Sequence, residues 1–164
     1  MIHEFGHAFA FRKFGGRPSV HLYGMGGYAT APGRFTRQQS IFISAAGPVV
    51  EIITGVLCLL VLLSLPSPDP LFGFFLQLMA MICIFWGILN LAPILPLDGG
   101  HILESVMHNS PKKVALISTV TGIAIAIAFA VLLGMYFAAA FFGYLAFRNW
   151  QRWQGVPQNP NQHW

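Results

Sequence analysis

Apolar residues run almost without interruption through three long stretches of this chain. Residues 41–65 contain one charged side chain, Glu51, and residues 71–97 contain none. Each stretch exceeds the roughly 20 helical residues that cross a hydrocarbon core about 30 Å thick. The pattern therefore predicts membrane-spanning helices over 39–65 and 71–97.

The third apolar stretch, residues 114–147, is longer than one span requires and has Gly134 near its middle. We predict two short spans, 114–133 and 135–148, joined by a tight turn. Basic residues, which collect on the cytoplasmic side of a membrane, agree with this topology. They precede the first span and follow the second and last spans: Arg12, Lys13, Arg17, Arg34, Arg37, Lys112, Lys113, Arg148 and Arg152. A single helix over 114–147 would place the last two on the opposite side.

The composition is that of a membrane protein, since 55% of the residues are hydrophobic and only 9% are charged. Mean hydropathy is +0.64. The net charge of +4 is explained by membrane orientation, because no basic stripe is interleaved with base-stacking aromatic residues, and nucleic acid is not an expected partner. Cys58 and Cys83 lie inside apolar spans and predict no disulfide. These features predict an all-α membrane protein, a polytopic helical bundle in the lipid bilayer.

Neither end of the chain has the length and the apolar composition of a membrane span. Residues 1–14 predict a helix of about 20 Å, too short to cross the bilayer. Either the outer half of this helix is missing or the helix enters the membrane from one side, and we favour the first alternative. The tail, residues 149–164, contains three tryptophans and an Asn/Gln/Pro-rich end, which predicts an interfacial anchor followed by disorder.

The short first helix carries the pattern H-E-x-x-H at His3, Glu4 and His7. Residues four apart share one helix face, so both imidazoles could reach one metal ion with the glutamate beside them. A pair of interfacial histidines is the alternative interpretation. A catalytic zinc ion takes three protein ligands and leaves one position open, so the hypothesis requires a third ligand elsewhere.

Asp98 is the residue that we expect to supply this ligand. It follows the second long span and precedes Gly99 and Gly100. The charge pattern places both this end and the H-E-x-x-H segment toward the cytoplasmic side, at similar depth. A capping aspartate at the helix end is the alternative.

The pairing of H-E-x-x-H with N-x-x-P-x-x-x-x-D-G at residues 90–99 resembles the intramembrane metalloproteases of the site-2 protease family. The resemblance implies a peptidase with one Zn²⁺ that cleaves transmembrane or membrane-anchored protein substrates within the bilayer. It also implies zinc ligands at His3, His7 and Asp98, a catalytic acid/base at Glu4, and a substrate-supporting amide at Asn90. The family's three-helix catalytic core would comprise the first helix and the first two long spans, so the resemblance covers roughly residues 1–105.

Three further features bear on this resemblance. Residues 19–30 alternate and contain glycines, which predicts a small β-hairpin between the first two core helices; an ordinary interfacial loop is the alternative. Glu51 stands where the family's A-G-P-x-x-N element has asparagine, and it could tune the zinc site, bind a substrate amide or mark a member without activity. His101, after Asp98-Gly-Gly, is expected to be a hydrogen-bond donor behind the ligands or a helix-start residue rather than a fourth ligand.

Two other functions compete with proteolysis. One is a catalytically silent relative that binds membrane proteins. The other is a zinc-binding transport protein, which we favour less because the chain shows no internal repeat with matching broken helices. Neither needs a general base, so Glu4 discriminates between them and a protease. We expect a bacterial inner membrane location with the active site toward the cytoplasm; an organelle of bacterial ancestry is the alternative.

Overall fold

The computed structural model describes residues 1–23 and 26–156. The chain divides into two units, Met1–Leu91 and Ala92–Trp164. Over the described residues the first unit contains α1 (Ile2–Lys13), β1 (Ser19–Tyr23), β2 (Gly26–Thr30), α2 (Arg37–Ser64) and α3 (Pro70–Asn90). The second unit contains α4 (Asp98–Val106), α5 (Pro111–Val131) and α6 (Tyr136–Trp153). The polytopic, mainly helical fold is therefore confirmed.

The two long helices of the first unit begin at clear N-terminal signals. At the start of α2, the Thr36 side chain accepts a hydrogen bond from the Gln39 backbone, and the Gln39 side chain accepts one from the Thr36 backbone. At the start of α3, the Asp69 carboxylate accepts two backbone N–H bonds, and Pro70 occupies the first turn. Such caps satisfy amide groups that have no partner within the helix.

Glycines allow α1, α2 and α3 to pack closely. A side chain at Gly6 of α1 would lie 2.6 Å from the carbonyl oxygen of Ala46 in α2. A side chain at Gly87 of α3 would lie 2.6 Å from Ile52 and 3.0 Å from the carbonyl oxygen of Pro48, both in α2. Small residues permit such backbone approach between membrane helices. The first unit thus has the three-helix arrangement predicted for the catalytic core.

An antiparallel strand pair lies between α1 and α2, in the segment for which a hairpin was predicted. β1 and β2 pair from Ser19 opposite Thr30 to Tyr23 opposite Gly26. Residues 24–25, between the two strands, lie outside the described residues. The pair makes contacts with α1, so it belongs to the first unit.

In the second unit, α5 and α6 form an antiparallel hairpin of helices. Gly122 packs on Ala146, and the rings of Phe129 and Phe142 stack with centroids 5.5 Å apart. The chain reverses at Gly134, whose φ of 63° lies in the left-handed region that favours glycine. The predicted break of 114–147 into two helices is confirmed.

Two observations refine the predicted C-terminal region. Within the described residues, the helices long and apolar enough to cross a membrane are α2, α3 and α5. α6 is not among them; its last third contains the polar side chains of Arg148, Asn149, Gln151 and Arg152. Moreover, α6 continues to Trp153, five residues beyond the predicted end of the last span at residue 148. Residues 157–164 lie outside the described part of the chain.

The second predicted span, 71–97, also extends too far. α3 ends at Asn90 and a turn follows, so Asp98 is the first residue of α4 rather than the end of the span. Pro93 and Pro96 explain the early end, because proline lacks an amide hydrogen and disfavours helical geometry at the preceding residue. The peptide bond before Pro96 is cis.

Candidate metal centre

The two histidines of α1 face each other on the side of the helix that packs on α2. Their rings are edge-to-face with centroids 4.7 Å apart, and the Nε2 atoms of His3 and His7 lie 3.0 Å apart. His7 is only 9% exposed. Gly6, between them, lets α1 approach α2 closely enough to bury this face.

The other ring nitrogen of each histidine is bonded to an oxygen of α2. His3 Nδ1 lies 3.0 Å from Glu51 Oε2, and His7 Nδ1 lies 2.7 Å from the carbonyl oxygen of Ile43. A carbonyl or carboxylate oxygen only accepts, so each Nδ1 carries the hydrogen and donates it. In a neutral ring Nε2 then has a lone pair and no hydrogen. Both histidines are therefore held in the tautomer that binds metal through Nε2.

The arrangement of the two Nε2 atoms suits a small cation. Lone pairs that face each other repel unless a proton or a metal cation lies between or beside them. Two nitrogens bound tetrahedrally to one zinc ion at about 2.0–2.1 Å would lie about 3.3 Å apart, close to the observed separation. The donors present in the first unit therefore fit a zinc ion.

Gly47 of α2 supplies the space in front of these nitrogens. A side chain carbon there would collide with His7 Nε2 and lie 3.0 Å from His3 Nε2. Sequence reasoning placed Gly47 in the A-G-P element but assigned it no role. It also missed Ile43, which acts through its backbone carbonyl and so has no side-chain signature.

Two more predicted site residues lie in the first unit. Glu4 is in the first turn of α1, between the two histidines in sequence, and is half-buried. Asn90 is the last residue of α3 and is also half-buried. Glu51, whose role the sequence left open, is a direct hydrogen-bond partner of His3.

The remaining predicted site residues lie in the second unit. Asp98 is half-buried in the first turn of α4. His101 is 49% exposed, and its Nδ1 lies 3.6 Å from Oε2 of Glu104. Glu104 also accepts a 2.9 Å bond from Arg152. His101 and, less strongly, Arg152 lower the pKa of Glu104 against the opposing effect of burial. The role of His101 near a metal stays a prediction.

Comparisons with known proteins agree with this chemistry. The model of the zincin peptidase family matches residues 1–96, and the model of peptidase family M50 matches residues 70–135. A zinc metalloprotease of Methanocaldococcus jannaschii is 29% identical over 109 residues, which cover 65% of this chain and 31% of that protein. The solved structure of the site-2 protease from M. jannaschii is similar with a TM-score of 0.64 and 25% identity, covering 90% of this chain and 72% of that one.

The three apolar helices are those of an integral membrane protein, and the paired histidines fit the zincin peptidases, whose family model matches the same part of the chain. Since the zincin peptidase model spans more than half of the chain, the chain belongs to the zincin peptidase family. Its fold is similar to that of the site-2 protease over 90% of its length. The matched segment spans about a third of the curated metalloprotease.

Proposed function

We propose that this protein is a zinc-dependent endopeptidase that cleaves transmembrane or membrane-anchored protein substrates within the bilayer, as in regulated intramembrane proteolysis. The observation that carries the proposal is the pair of Nε2 atoms 3.0 Å apart. Each ring's Nδ1 hydrogen is bonded to an oxygen of α2, so the two nitrogens are oriented as ligands before any metal binds.

The ligand set that we propose is His3, His7 and Asp98, holding one zinc ion. Two histidines leave a catalytic site one protein ligand short, and Asp98 supports the assignment because it occupies the D-G position of the family pattern. When bound, zinc acts as a Lewis acid that polarises a carbonyl and makes water nucleophilic at neutral pH.

Glu4 is the proposed general base and acid. Its carboxylate takes a proton from the attacking water and returns it to the nitrogen of the leaving amine. The Asn90 amide would donate to the substrate carbonyl. The β1–β2 pair would offer a strand edge to the substrate, which a protease must hold in extended form.

The charge distribution supports a cytoplasmic orientation of this site. Arg12 and Lys13 end the helix that carries both histidines, and basic residues mark the cytoplasmic side of a membrane. We propose the bacterial inner membrane as the location.

Glu4 provides the test that separates a protease from a silent binding protein. The full-length protein is co-expressed with a single-span substrate, and cleavage by wild type and Glu4→Gln is compared. We expect Glu4→Gln to retain zinc and to cleave about 10²–10⁴-fold more slowly. Equal cleavage by both proteins would overturn the assignment.

Metal analysis of the purified protein tests the ligand set separately. His7→Ala and Asp98→Ala should both bind zinc more weakly and lose activity. Zinc content and cleavage that survive Asp98→Ala would show that the third ligand is wrong. The sequence suggested that Glu51 could mark a relative without catalytic activity. Its carboxylate lies 3.0 Å from His3, a proposed ligand, and a carboxylate in that position strengthens metal binding.

A further inference from the structure

The centre of the turn that leads into Asp98 is buried within the second unit. Ile94 is fully buried and Leu95 is 5% exposed. The turn makes short internal bonds, from Ile94 N–H to the Ala92 carbonyl and from Leu97 N–H to the Ile94 carbonyl, both 2.7 Å long. A buried turn must satisfy its remaining backbone groups through other parts of the protein.

The backbone of Leu95 is held from two sides by α5 and α6. Its N–H donates to Ser118 Oγ of α5 at 3.3 Å, and its carbonyl accepts from Asn149 Nδ2 of α6 at 2.7 Å. Ser118 is fully buried and Asn149 is 3% exposed. Asn149 also donates to the Leu145 carbonyl at 2.9 Å, which fixes its amide on its own helix.

The first turn of α4 lies directly on this clamped residue. A side chain at Gly100 would lie 2.5 Å from both the Ile94 carbonyl carbon and the Leu95 nitrogen. Asp98 lies between these two points in sequence, three residues after Leu95 and two before Gly100. Its backbone is therefore fixed on both sides.

We propose that Ser118 and Asn149 are positioning residues that hold Asp98 in place as a metal ligand. Under this proposal α5 and α6 belong to the metal centre, in addition to any part they have in the membrane. The proposal rests on the assignment of Asp98 as the third ligand. A positioning role and a purely structural role of Ser118 and Asn149 make different predictions. If the two side chains position the ligand, their effect on metal binding must depend on Asp98.

Zinc affinity of the full chain in detergent, measured by competition with a chelator, is the first readout. Ser118→Ala and Asn149→Leu each remove one bond to Leu95. We expect each to weaken zinc binding about 10–100-fold, as loss of groups that orient a ligand typically does. Thr119→Val is the matched control, because Thr119 is an adjacent buried hydroxyl that bonds Ala115 of its own helix at 2.8 Å. It should keep wild-type affinity.

The same substitutions made in Asp98→Ala protein test whether their effect on zinc binding depends on Asp98. In Asp98→Ala protein, Ser118→Ala and Asn149→Leu should cause no further loss of zinc affinity, because the ligand that they position is gone. Losses that add in that background would overturn the proposal. Ser118→Thr, which retains the hydroxyl, should restore affinity and provides a folded variant if Ser118→Ala is unstable.

The spectrum of the Co²⁺-substituted protein reports ligand geometry without activity. Ser118→Ala should change the visible bands while Thr119→Val should not. If Asp98→Ala leaves zinc affinity unchanged, the ligand assignment fails and this inference fails with it. If Asp98→Ala weakens binding but Ser118→Ala and Asn149→Leu do not, only the positioning role is overturned.

Discussion

Removing the Glu51 carboxylate should weaken zinc binding although Glu51 is not itself a proposed ligand. Glu51 Oε2 accepts from His3 Nδ1 at 3.0 Å, and the two side chains are only 15% and 17% exposed. A carboxylate behind a metal-binding imidazole fixes the ring and raises its basicity. Loss of such a partner typically costs about 10–100-fold in affinity, or roughly 1.4–2.7 kcal/mol at about 1.36 kcal/mol per tenfold.

Two substitutions separate the charge of Glu51 from its hydrogen bond. Glu51→Gln keeps the length of the side chain and an oxygen that can accept from His3, but it loses the negative charge. Glu51→Leu loses both. Because hydrogen bonds to charged groups are about twice as strong as neutral ones, we expect zinc affinity to fall in the order wild type, Glu51→Gln, Glu51→Leu.

The measurement is chelator competition on detergent-purified protein, with cleavage rates taken at saturating zinc. Thr54→Val is the control, because Thr54 lies on the same helix and bonds the Val50 carbonyl of that helix at 2.9 Å. It should bind zinc like wild type. Glu51→Leu protein with wild-type affinity would refute the reasoning, since the carboxylate would then have no influence on the ligand.

Two further predictions concern packing and pH. Gly47→Ala should abolish zinc binding, because its Cβ would collide with the histidine ring nitrogens. Gly143→Ala is the control and should change nothing, because its Cβ meets no atom within 4 Å. The zinc content of the purified variants is the measurement, and Gly47→Ala protein that still contains zinc would contradict the site geometry. Since His101 and Arg152 lower the pKa of Glu104, its carboxylate stabilises the fold above the unfolded-state pKa, and that stabilisation is lost as pH falls through the folded-state pKa. The melting temperature should therefore fall less steeply with decreasing pH in Glu104→Gln than in wild type. The difference should correspond to the roughly 0.2–1 kcal/mol that an exposed ion pair contributes. Equally steep curves for the two proteins would contradict this.

The long helices were the most predictable part of the fold. The span predicted over 39–65 is observed as α2, Arg37–Ser64. Its start is set by Thr36 and Gln39, a capping pair that is local in sequence. Length and composition decide whether a segment can cross a membrane, and both are properties of the segment alone.

The end of α3 shows that composition alone does not locate the end of a helix. Residues 91–97 are as apolar as the helix before them, but they form a turn in which Ile94 and Leu95 are buried. Buried turns and buried helices have the same hydrophobic residues, so only Pro93 and Pro96 distinguished them. Giving weight to the restriction on residues before proline would have ended the helix near Asn90.

The candidate metal centre was predictable to the extent that its residues are neighbours in sequence. His3, Glu4 and His7 fall within about one helical turn, so their shared geometry follows from the helix itself. The groups that orient the rings are not local: Glu51 is 48 residues from His3, and the acceptor for His7 is a backbone carbonyl, which any residue could supply. Side chains 23 and 54 residues from Leu95 hold the turn before Asp98.

Under the proposed ligand assignment, this difference accounts for Glu51 at the position where the family usually has asparagine. A ligand atom must match the charge and softness of the metal, which restricts it to few residue types. The group behind a ligand histidine needs only an oxygen that accepts from Nδ1–H, and glutamate, asparagine or a backbone carbonyl can each provide one. Departures from the family pattern are therefore expected among these orienting groups, where a substitution tunes metal affinity instead of abolishing the site.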